Sequence, residues 1–158
     1  MGACKQARAG GQAGFTLIEV LVSLLVFSVG VLALVGLQGQ AVRFASDAQH
    51  RASATFLADQ LLARMLISDK TTLSTFAHNP TGTTKCAPTA AASTNAIVVE
   101  WLTEVSQALP RAVSASQQIT VDTATGQVTV KLCWQNDESA LVADQNHQLV
   151  VSNQVQWQ

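Results

Sequence analysis

Residues 15–37 read FTLIEVLVSLLVFSVGVLALVGL, and 17 of these 23 side chains are apolar. At a rise of about 1.5 Å per residue, a helix of this length extends about 35 Å, enough to cross the hydrocarbon core of a bilayer. Glu19 interrupts the run, and a charged carboxylate inside a bilayer costs about 2.5 kcal/mol or more. Because residues 15–37 contain no Lys, Arg or His, we expect the partner of Glu19 to come from outside this segment.

The flanks of the apolar segment predict its orientation. Lys5 and Arg8 precede it closely and the next cation is Arg43, so the short leader is expected to stay cytoplasmic while the C-terminal part is exported. An ordinary secretory signal is the alternative, with a cleavage site at Gly39-Gln40-Ala41. Glu19 counts against a signal, because a discarded segment gains nothing from carrying a costly buried acid.

The junction Gly14-Phe15-Thr16-Leu17-Ile18-Glu19-Val20-Leu21-Val22 resembles the class III leader junction of type IV pilins and pseudopilins. In that family a prepilin peptidase cuts after the glycine and methylates the new N-terminus. The resemblance implies cleavage between Gly14 and Phe15 and N-methylation of Phe15. It also implies that Glu19 pairs with the N-terminal amine of a neighbouring subunit, so that the cation and the buried acid compensate each other. Glu19 would then set the register of assembly.

Further residues are similar to the PilV group of minor pilins over about residues 10 to 70. They are Gly30, Leu32, Gly36, Leu37 and Gln38, followed by Gln49-His50-Arg51-Ala52 and Ala58-Asp59-Gln60-Leu61. Many major pilins carry a helix-distorting proline where this chain has Gly36. Glycine lowers helix stability by about 1 kcal/mol relative to alanine, so local melting is allowed but not required.

The pilin resemblance also implies a location and a set of partners. The chain is expected in the inner membrane as a single-pass protein with a cytoplasmic leader, residues 1–14, and a periplasmic head. It would then enter a pilus fibre or its initiating complex. The implied partners are prepilin peptidase, the inner-membrane assembly machinery, membrane lipid before assembly, and other minor and major pilins through the N-terminal helix.

Helical spacing continues beyond Leu37, at lower apolar density. Apolar residues recur at steps of three or four, at Ala41, Ala45, Ala48, Ala52 and Phe56 and then at Leu57, Leu61 and Met65. The pattern predicts one helix that runs to about Leu66. Its amphipathic half, residues 38–70, is expected to dock on a soluble head through the stripe from Phe56 to Met65.

The head, residues 71–158, is expected to be α+β. Residues 71–96 contain eight threonines and two prolines without a period and are interpreted as an irregular loop. Asn95 is expected to cap a helix that Pro110 ends, although its β-branched residues keep a strand as the alternative. The apolar face of that helix comprises Ile97, Val98, Trp101, Leu102, Val105 and Leu109.

The period changes to two after Pro110, which predicts strands. Alternation from Ile119 to Trp134, with a turn over 122–127, indicates a hairpin, and a last strand is expected near Leu149 to Trp157. A small antiparallel sheet could then receive the long helix, which gives a pilin-like fold. The apolar half of that helix, residues 15–37, would be membrane-spanning or packed in a filament.

Two of the three cysteines are expected to form a disulfide. Cys4 lies in the presumed leader, which leaves Cys86 and Cys133 in an exported domain where disulfides persist. A bond closing a loop of about 48 residues would stabilise the head by roughly 4 kcal/mol on the chain-entropy model. Two unpaired thiols that fill space are the alternative.

The remaining residues give no sign of catalysis, and neither enzyme activity nor a cofactor or metal is expected. His50, His78 and His147 lack the spacing of metal ligands, and Asp137-Glu138 is interpreted as a solvated turn. The three tryptophans, Trp101, Trp134 and Trp157, are expected in the core. Nine Lys and Arg against ten Asp and Glu give a net charge of −1, so no overall basic field predicts nucleic-acid binding.

These observations favour a structural protein, a minor pilin that takes part in pilus assembly or initiation and contributes to motility or adhesion. A pseudopilin of a type II secretion system shares the leader and the helix and is the nearest alternative. A tip adhesin or ligand-binding subunit that uses the 71–96 loop is another. A secreted enzyme would require cleavage after Ala41 and a catalytic site that the sequence does not suggest.

Overall fold

The computed structural model describes residues 14–136 and 146–155. Helix α1 spans Leu17–Leu66 and α2 spans Ala96–Ala108, with 3₁₀ segments at Lys70–Phe76 and Ser114–Ser116 and strands β1 (Gln118–Asp122), β2 (Gln127–Gln135) and β3 (Asn146–Gln154). The strands form one antiparallel sheet in the order β1-β2-β3. A long apolar helix with a small antiparallel sheet confirms the expected α+β class.

Contacts along the chain define two compact units, Met1–Arg43 and Phe44–Gln158. In the first unit, α1 runs without interruption through Gly30, Gly36 and Gly39. A Cβ added to any of these glycines would meet nothing within 4 Å. Helical geometry therefore persists at Gly36, and the local melting that the sequence allowed is not observed.

In the second unit, the β1–β2 hairpin turns at Asp122, as the sequence predicts. The Asp122 carboxylate accepts hydrogen bonds from the backbone N–H of Ala124 at 2.9 Å and from the Thr125 hydroxyl at 2.8 Å. Gly126 has φ of 72°, a left-handed conformation that glycine adopts without a steric penalty. The aspartate and the glycine together fix the two strands in register.

The core lies on one face of the sheet. Val128, Val130, Leu132 and Trp134 of β2 alternate inward and are buried. In β3, Leu149 pairs with Leu132 and Val151 pairs with Val130, and both β3 residues pack against the core. β3 begins at Asn146, three residues before the predicted start, and the ring of His147 stacks on Trp134 with centroids 5.6 Å apart.

The second half of α1 buries one stripe against this core. The buried residues are Ala54, Leu57, Ala58, Leu61, Leu62 and Met65. The predicted docking through Leu57, Leu61 and Met65 is confirmed, but the inclusion of Phe56 is wrong, because 68% of its side chain is exposed. Successive residues of a helix are rotated by about 100°, so Phe56 points away from the face that Leu57 and Ala58 share.

Helix α2 confirms the prediction of a helix rather than a strand. The Asn95 side chain accepts from the backbone N–H of Ile97 at 2.9 Å, which is an N-cap, and the helix ends before Pro110. Its apolar face is buried against α1, where the Trp101 indole N–H donates to the Leu57 carbonyl at 2.8 Å. On the surface, Arg64 and Glu104 form an ion pair between the two helices at 2.8 Å.

The segment 71–96 is more ordered than its composition suggested. It begins within the 3₁₀ segment Lys70–Phe76, which Asp69 caps by accepting from Thr71, and His78 forms an antiparallel bridge with Ile119. The His78 ring is buried, with Nδ1 accepting from the backbone N–H of Ser93 at 3.1 Å and Nε2 lying 3.0 Å from the Ser114 carbonyl. These pairings join residues distant in sequence, so no local period announces them.

The structure joins Cys86 to Cys133, with Cα atoms 5.6 Å apart, the pair that the sequence favours. Cys86 has φ of 57°, and Cys133 lies in β2. The buried side chain of Gln117 makes two hydrogen bonds to the backbone of Cys133. It donates to the Cys133 carbonyl at 2.9 Å and accepts from the Cys133 N–H at 2.8 Å.

Several sequence predictions fall outside the described residues. They concern the leader with Cys4, Lys5 and Arg8, the acidic pair Asp137-Glu138, and Trp157 at the end of the predicted last strand. The other two tryptophans, Trp101 and Trp134, are buried in the core as expected.

Candidate assembly site at the start of the long helix

The first turn of α1 is held by a capping arrangement. Thr16 precedes the helix, and its hydroxyl lies 3.4 Å from the backbone N–H of Glu19, which also donates to the Thr16 carbonyl at 3.1 Å. Thr-x-x-Glu is the sequence pattern of a capping box, and an acid in the first turn also interacts favourably with the helix dipole. Thr16 is therefore a residue of this site that our sequence reasoning missed, although the spacing could have found it.

Glu19 lies on an exposed groove of about 540 Å³. The groove is lined by Phe15, Glu19, Val20, Ser23, Leu24 and Phe27. Glu19 is its one ionisable side chain, and none of the ion pairs among the described residues includes it. The site thus offers an acid within an apolar surface, and a cation from another chain would satisfy it.

The apolar side chains of residues 15–37 are exposed throughout this chain. Phe15 is 83% exposed, Phe27 is 69% exposed, and the most apolar 18-residue window of α1, with a mean hydropathy of 2.8, contains no buried residue. Among the described residues, α1 is the one helix whose length and composition suit a membrane span. A helix that buries none of this surface within its own chain leaves all of it available to lipid or to other helices.

The serines of the apolar half are satisfied within the helix. The hydroxyls of Ser23 and Ser28 each donate at 2.7 Å to the backbone carbonyl four residues earlier, on Glu19 and Leu24. These hydrogen bonds satisfy two hydroxyl groups that would otherwise lack partners in hydrocarbon. Apart from the Glu19 carboxylate, the polar side chains within this segment therefore pose little obstacle to insertion.

Residues 10–35 match the family model of the prokaryotic N-terminal methylation motif. The chain carries a prepilin-type N-terminal motif. Comparisons with curated proteins and with solved structures return no match. The motif indicates a type IV pilin-like or pseudopilin protein, and it implies processing by a prepilin peptidase and assembly with pilus components. The apolar helix that follows the junction fits membrane anchoring.

The matched stretch contains Gly14, Phe15 and Glu19, the residues that the sequence singled out. Gly14 and Phe15 lie just before α1 and are exposed, so the peptide bond between them is accessible. A Cβ on Gly14 would meet nothing within 4 Å, so the fold of this chain does not require glycine there.

The three histidines lie apart from this site. His50 lies 3.3 Å from the Ser46 hydroxyl on α1, and His78 is a satisfied core histidine. His147 lies 3.5 Å from the Asp47 carboxylate. Within the described ranges, no group of three His, Cys, Asp or Glu side chains converges to hold a metal ion.

Asp47 links the start of the second unit to the end of the sheet. Its carboxylate accepts from Arg51 at 3.0 Å and from the Asn136 side chain at 3.0 Å. The hydrogen bond from Arg51 is the main cause that lowers the pKa of Asp47 below 3.8; burial opposes it, and the hydrogen bond from Asn136 and the charges of Arg51 and His147 lower the pKa further. The carboxylate therefore stays charged and joins α1 to Asn136, which follows β2, and to His147 of β3.

Proposed function

We propose that this protein is a minor pilin of a type IV pilus, of the PilV type, which takes part in the assembly or initiation of the fibre. The observation that carries the proposal is the methylation motif at residues 10–35 together with the apolar first half of α1, whose described side chains up to residue 43 are all exposed. In a chain that stayed monomeric in water, such an exposed apolar surface would be unfavourable.

The mechanism we propose is polymerisation by helix packing. Cleavage after Gly14 frees the amine of Phe15, which is then methylated and remains a cation. That amine enters the groove of a neighbouring subunit and pairs with Glu19, the unpaired acid of the groove. Because two opposite charges in an apolar environment are stable only together, the pair fixes the axial stagger between adjacent helices.

The first experiment is mass spectrometry of the protein's N-terminus, in sheared surface fibres and in membranes of the native host. An N-methylated Phe15 in the fibres is the expected result. The same terminus found only in membranes would favour a type II secretion pseudopilin or a role confined to the initiating complex. A terminus near Val42 would contradict the proposal, because the apolar run would then be a discarded signal.

The variant Gly14→Ala provides a matched control for that experiment. Since nothing surrounds Gly14 in the fold, we expect the head to form its Cys86–Cys133 disulfide normally while the leader remains uncut. The uncut chain should then stay in the membrane and be absent from fibres. Wild-type amounts of this variant in fibres would show that incorporation does not depend on cleavage at Gly14.

A further inference from the structure

We infer that the free edge of β3 accepts an extended, uncharged segment from a neighbouring pilin-like subunit, which continues the sheet by backbone hydrogen bonds. This inference rests on the proposed function for the identity of the neighbour. The edge itself follows from the register of the sheet.

The register shows which backbone groups of β3 point away from the sheet. Val155 donates its N–H to the Gly126 carbonyl at 2.8 Å, and these two residues continue the register in which Gln154 faces Gln127. In an antiparallel ladder, hydrogen-bonded pairs alternate with non-bonded ones. The odd-numbered residues of β3 therefore bond to β2, whereas the N–H and C=O groups of Gln148, Val150 and Ser152 point outward.

These outward groups have no partner among the described residues. Nothing in the described ranges bonds to the backbone of Gln148, Val150 or Ser152, whereas the outward N–H of Gln154 is already occupied by the Asn153 side chain at 2.8 Å. The free edge thus presents three donors and three acceptors over five residues. That is the pattern an added strand recognises.

The opposite edge of the same sheet, formed by β1, has hydrogen-bond partners within the chain. The outward groups of Ile119 in β1 are satisfied by His78, which donates at 3.1 Å and accepts at 2.8 Å. The side chain of Gln118 bonds to the Thr81 and Gly82 carbonyls, so the 71–96 segment covers the first part of that edge, up to Ile119. Part of the β1 edge is therefore covered by the protein's own chain, whereas no described residue bonds to the backbone of β3 at Gln148, Val150 or Ser152.

The β3 edge also lacks the features that usually prevent strand addition. Its sequence, NHQLVVSNQ, contains no Lys, Arg, Asp, Glu, Pro or Gly, the residues that protect exposed edges by charge, a missing donor or a bulge. An uncharged edge suits an uncharged partner. On the core face the partner would extend the apolar row of Leu149 and Val151, and on the other face it would meet Ser152, which bonds to Thr129 at 3.0 Å. We therefore expect a segment that alternates apolar and uncharged polar side chains.

A second copy of β3 fits this edge less well than a different segment. Two β3 strands paired antiparallel would be related by a two-fold axis normal to the sheet. That axis would reverse the direction of the part of α1 that packs on the sheet in one of the two copies. Subunits of one filament in which this part of α1 runs in the same direction cannot pair in this way, so the occupant is another segment of a neighbouring subunit.

The test uses the full-length chain in its native host and compares Val150→Lys and Val150→Pro with wild type. Proline at position 150 removes an outward N–H and no bond of the β2–β3 ladder. Val99→Lys on α2 is the matched control, because Val99 is 49% exposed and Val150 is 51% exposed. Leader cleavage and disulfide formation are checked in every variant.

We expect both Val150 variants to fall about tenfold in the sheared-fibre fraction. Val150→Pro loses an outward N–H, and a tenfold loss corresponds to one or two net hydrogen bonds. Val150→Lys keeps the backbone groups but places a charge against an uncharged partner. Val99→Lys should match wild type. Wild-type incorporation of Val150→Lys, or an equal loss with Val99→Lys, would overturn the edge assignment while leaving the proposed function intact. Absence of the wild-type chain from fibres would instead contradict its place as a fibre subunit and with it the identity of the neighbour.

A photo-crosslinking residue at position 150 identifies the occupant. A crosslink to another pilin-like chain, absent when the same group is placed at Val99, is the expected result. A crosslink only between two copies of this chain would overturn the assignment of the occupant to another subunit's segment.

Discussion

The position of Glu19 allows two roles, in helix capping and in assembly, and mutation can separate them. It follows Thr16 at the spacing of a capping box, and it is also the unpaired acid of an apolar groove. If it acts in assembly, Glu19→Ala should leave cleavage after Gly14 intact and reduce the amount of the protein in fibres. The measurement is the ratio of N-methylated Phe15 peptide in fibres to that in membranes.

Thr16→Ala is the control for this prediction. It removes the cap of α1, at a cost of about 1 kcal/mol of helix stability, but leaves the Glu19 carboxylate in the groove. We expect Thr16→Ala to assemble nearly as well as wild type. If the two variants lose assembly equally, Glu19 acts by holding the first helical turn and does not set the register of assembly.

Asp122 is expected to make the head sensitive to acid. Hydrogen bonds from the Thr125 hydroxyl, and then from the N–H groups of Ala124 and Thr125, lower its pKa below the ordinary 3.8. A folded-state pKa below the unfolded one gives stability that is present above pH 3.8 and is lost as the pH falls through the folded-state value. Asp122→Ala should therefore unfold at lower urea than wild type at neutral pH.

The difference between Asp122→Ala and wild type should shrink as the pH falls below 3.8, because protonation then removes from wild type the contribution that the variant lacks at every pH. Urea unfolding of the full-length chain across pH measures it. A difference that stays constant with pH would mean that the aspartate acts through turn geometry and not through its charge.

Among the elements, the disulfide connects the 71–96 segment to β2. Removing it in a chain with both Cys86→Ala and Cys133→Ala should lower the free energy of unfolding by about 4 kcal/mol, because the loop it closes is long. Urea unfolding with and without reductant checks this. Reductant should destabilise wild type by a similar amount and leave the double variant unchanged. A double variant as stable as the oxidised protein would show that the bond contributes nothing.

Helices and strands with local signals could be predicted from the sequence. Asn95 caps α2 and Pro110 follows its end, and the aspartate and glycine of the turn at 122–126 lie where the period of two is interrupted. Such signals depend on residues within four or five positions of each other. The end of α1 at Leu66 was predicted for the same reason, since a period of three to four ends there.

The errors arise where the deciding contacts are distant. Alanine is compatible with either side of a surface helix, so the stripe that leads to Phe56 did not reveal which face meets the sheet, and Phe56 is exposed. His78 pairs with Ile119 across more than forty positions of the chain, which no local pattern contains. At the candidate site the motif was recognised from its residues, but the capping role of Thr16 required the geometry of the first turn.

At the scale of the whole molecule, the two units differ in the burial of their side chains. The described side chains up to residue 43 are all exposed, whereas the buried core runs from Ala54 to Val155 and lies entirely in the second unit. A core that takes no residue from the apolar half has no need of it for folding. The apolar half is then free to change its surroundings, from lipid to other helices, while the head stays the same.

A chain that begins at Phe44 should therefore fold as a soluble head. Because it keeps the entire buried core and the disulfide, we expect its unfolding free energy to differ from that of the full-length chain in detergent by less than about 0.5 kcal/mol. A chain that begins at Asp59 is the control. It loses Leu57, which is buried and whose carbonyl accepts from Trp101, so it should be less stable by about 4 kcal/mol or more. If the chain from Phe44 unfolds while the full-length chain is stable, the apolar half contributes to folding as well as to assembly, and the independence of the two units is wrong.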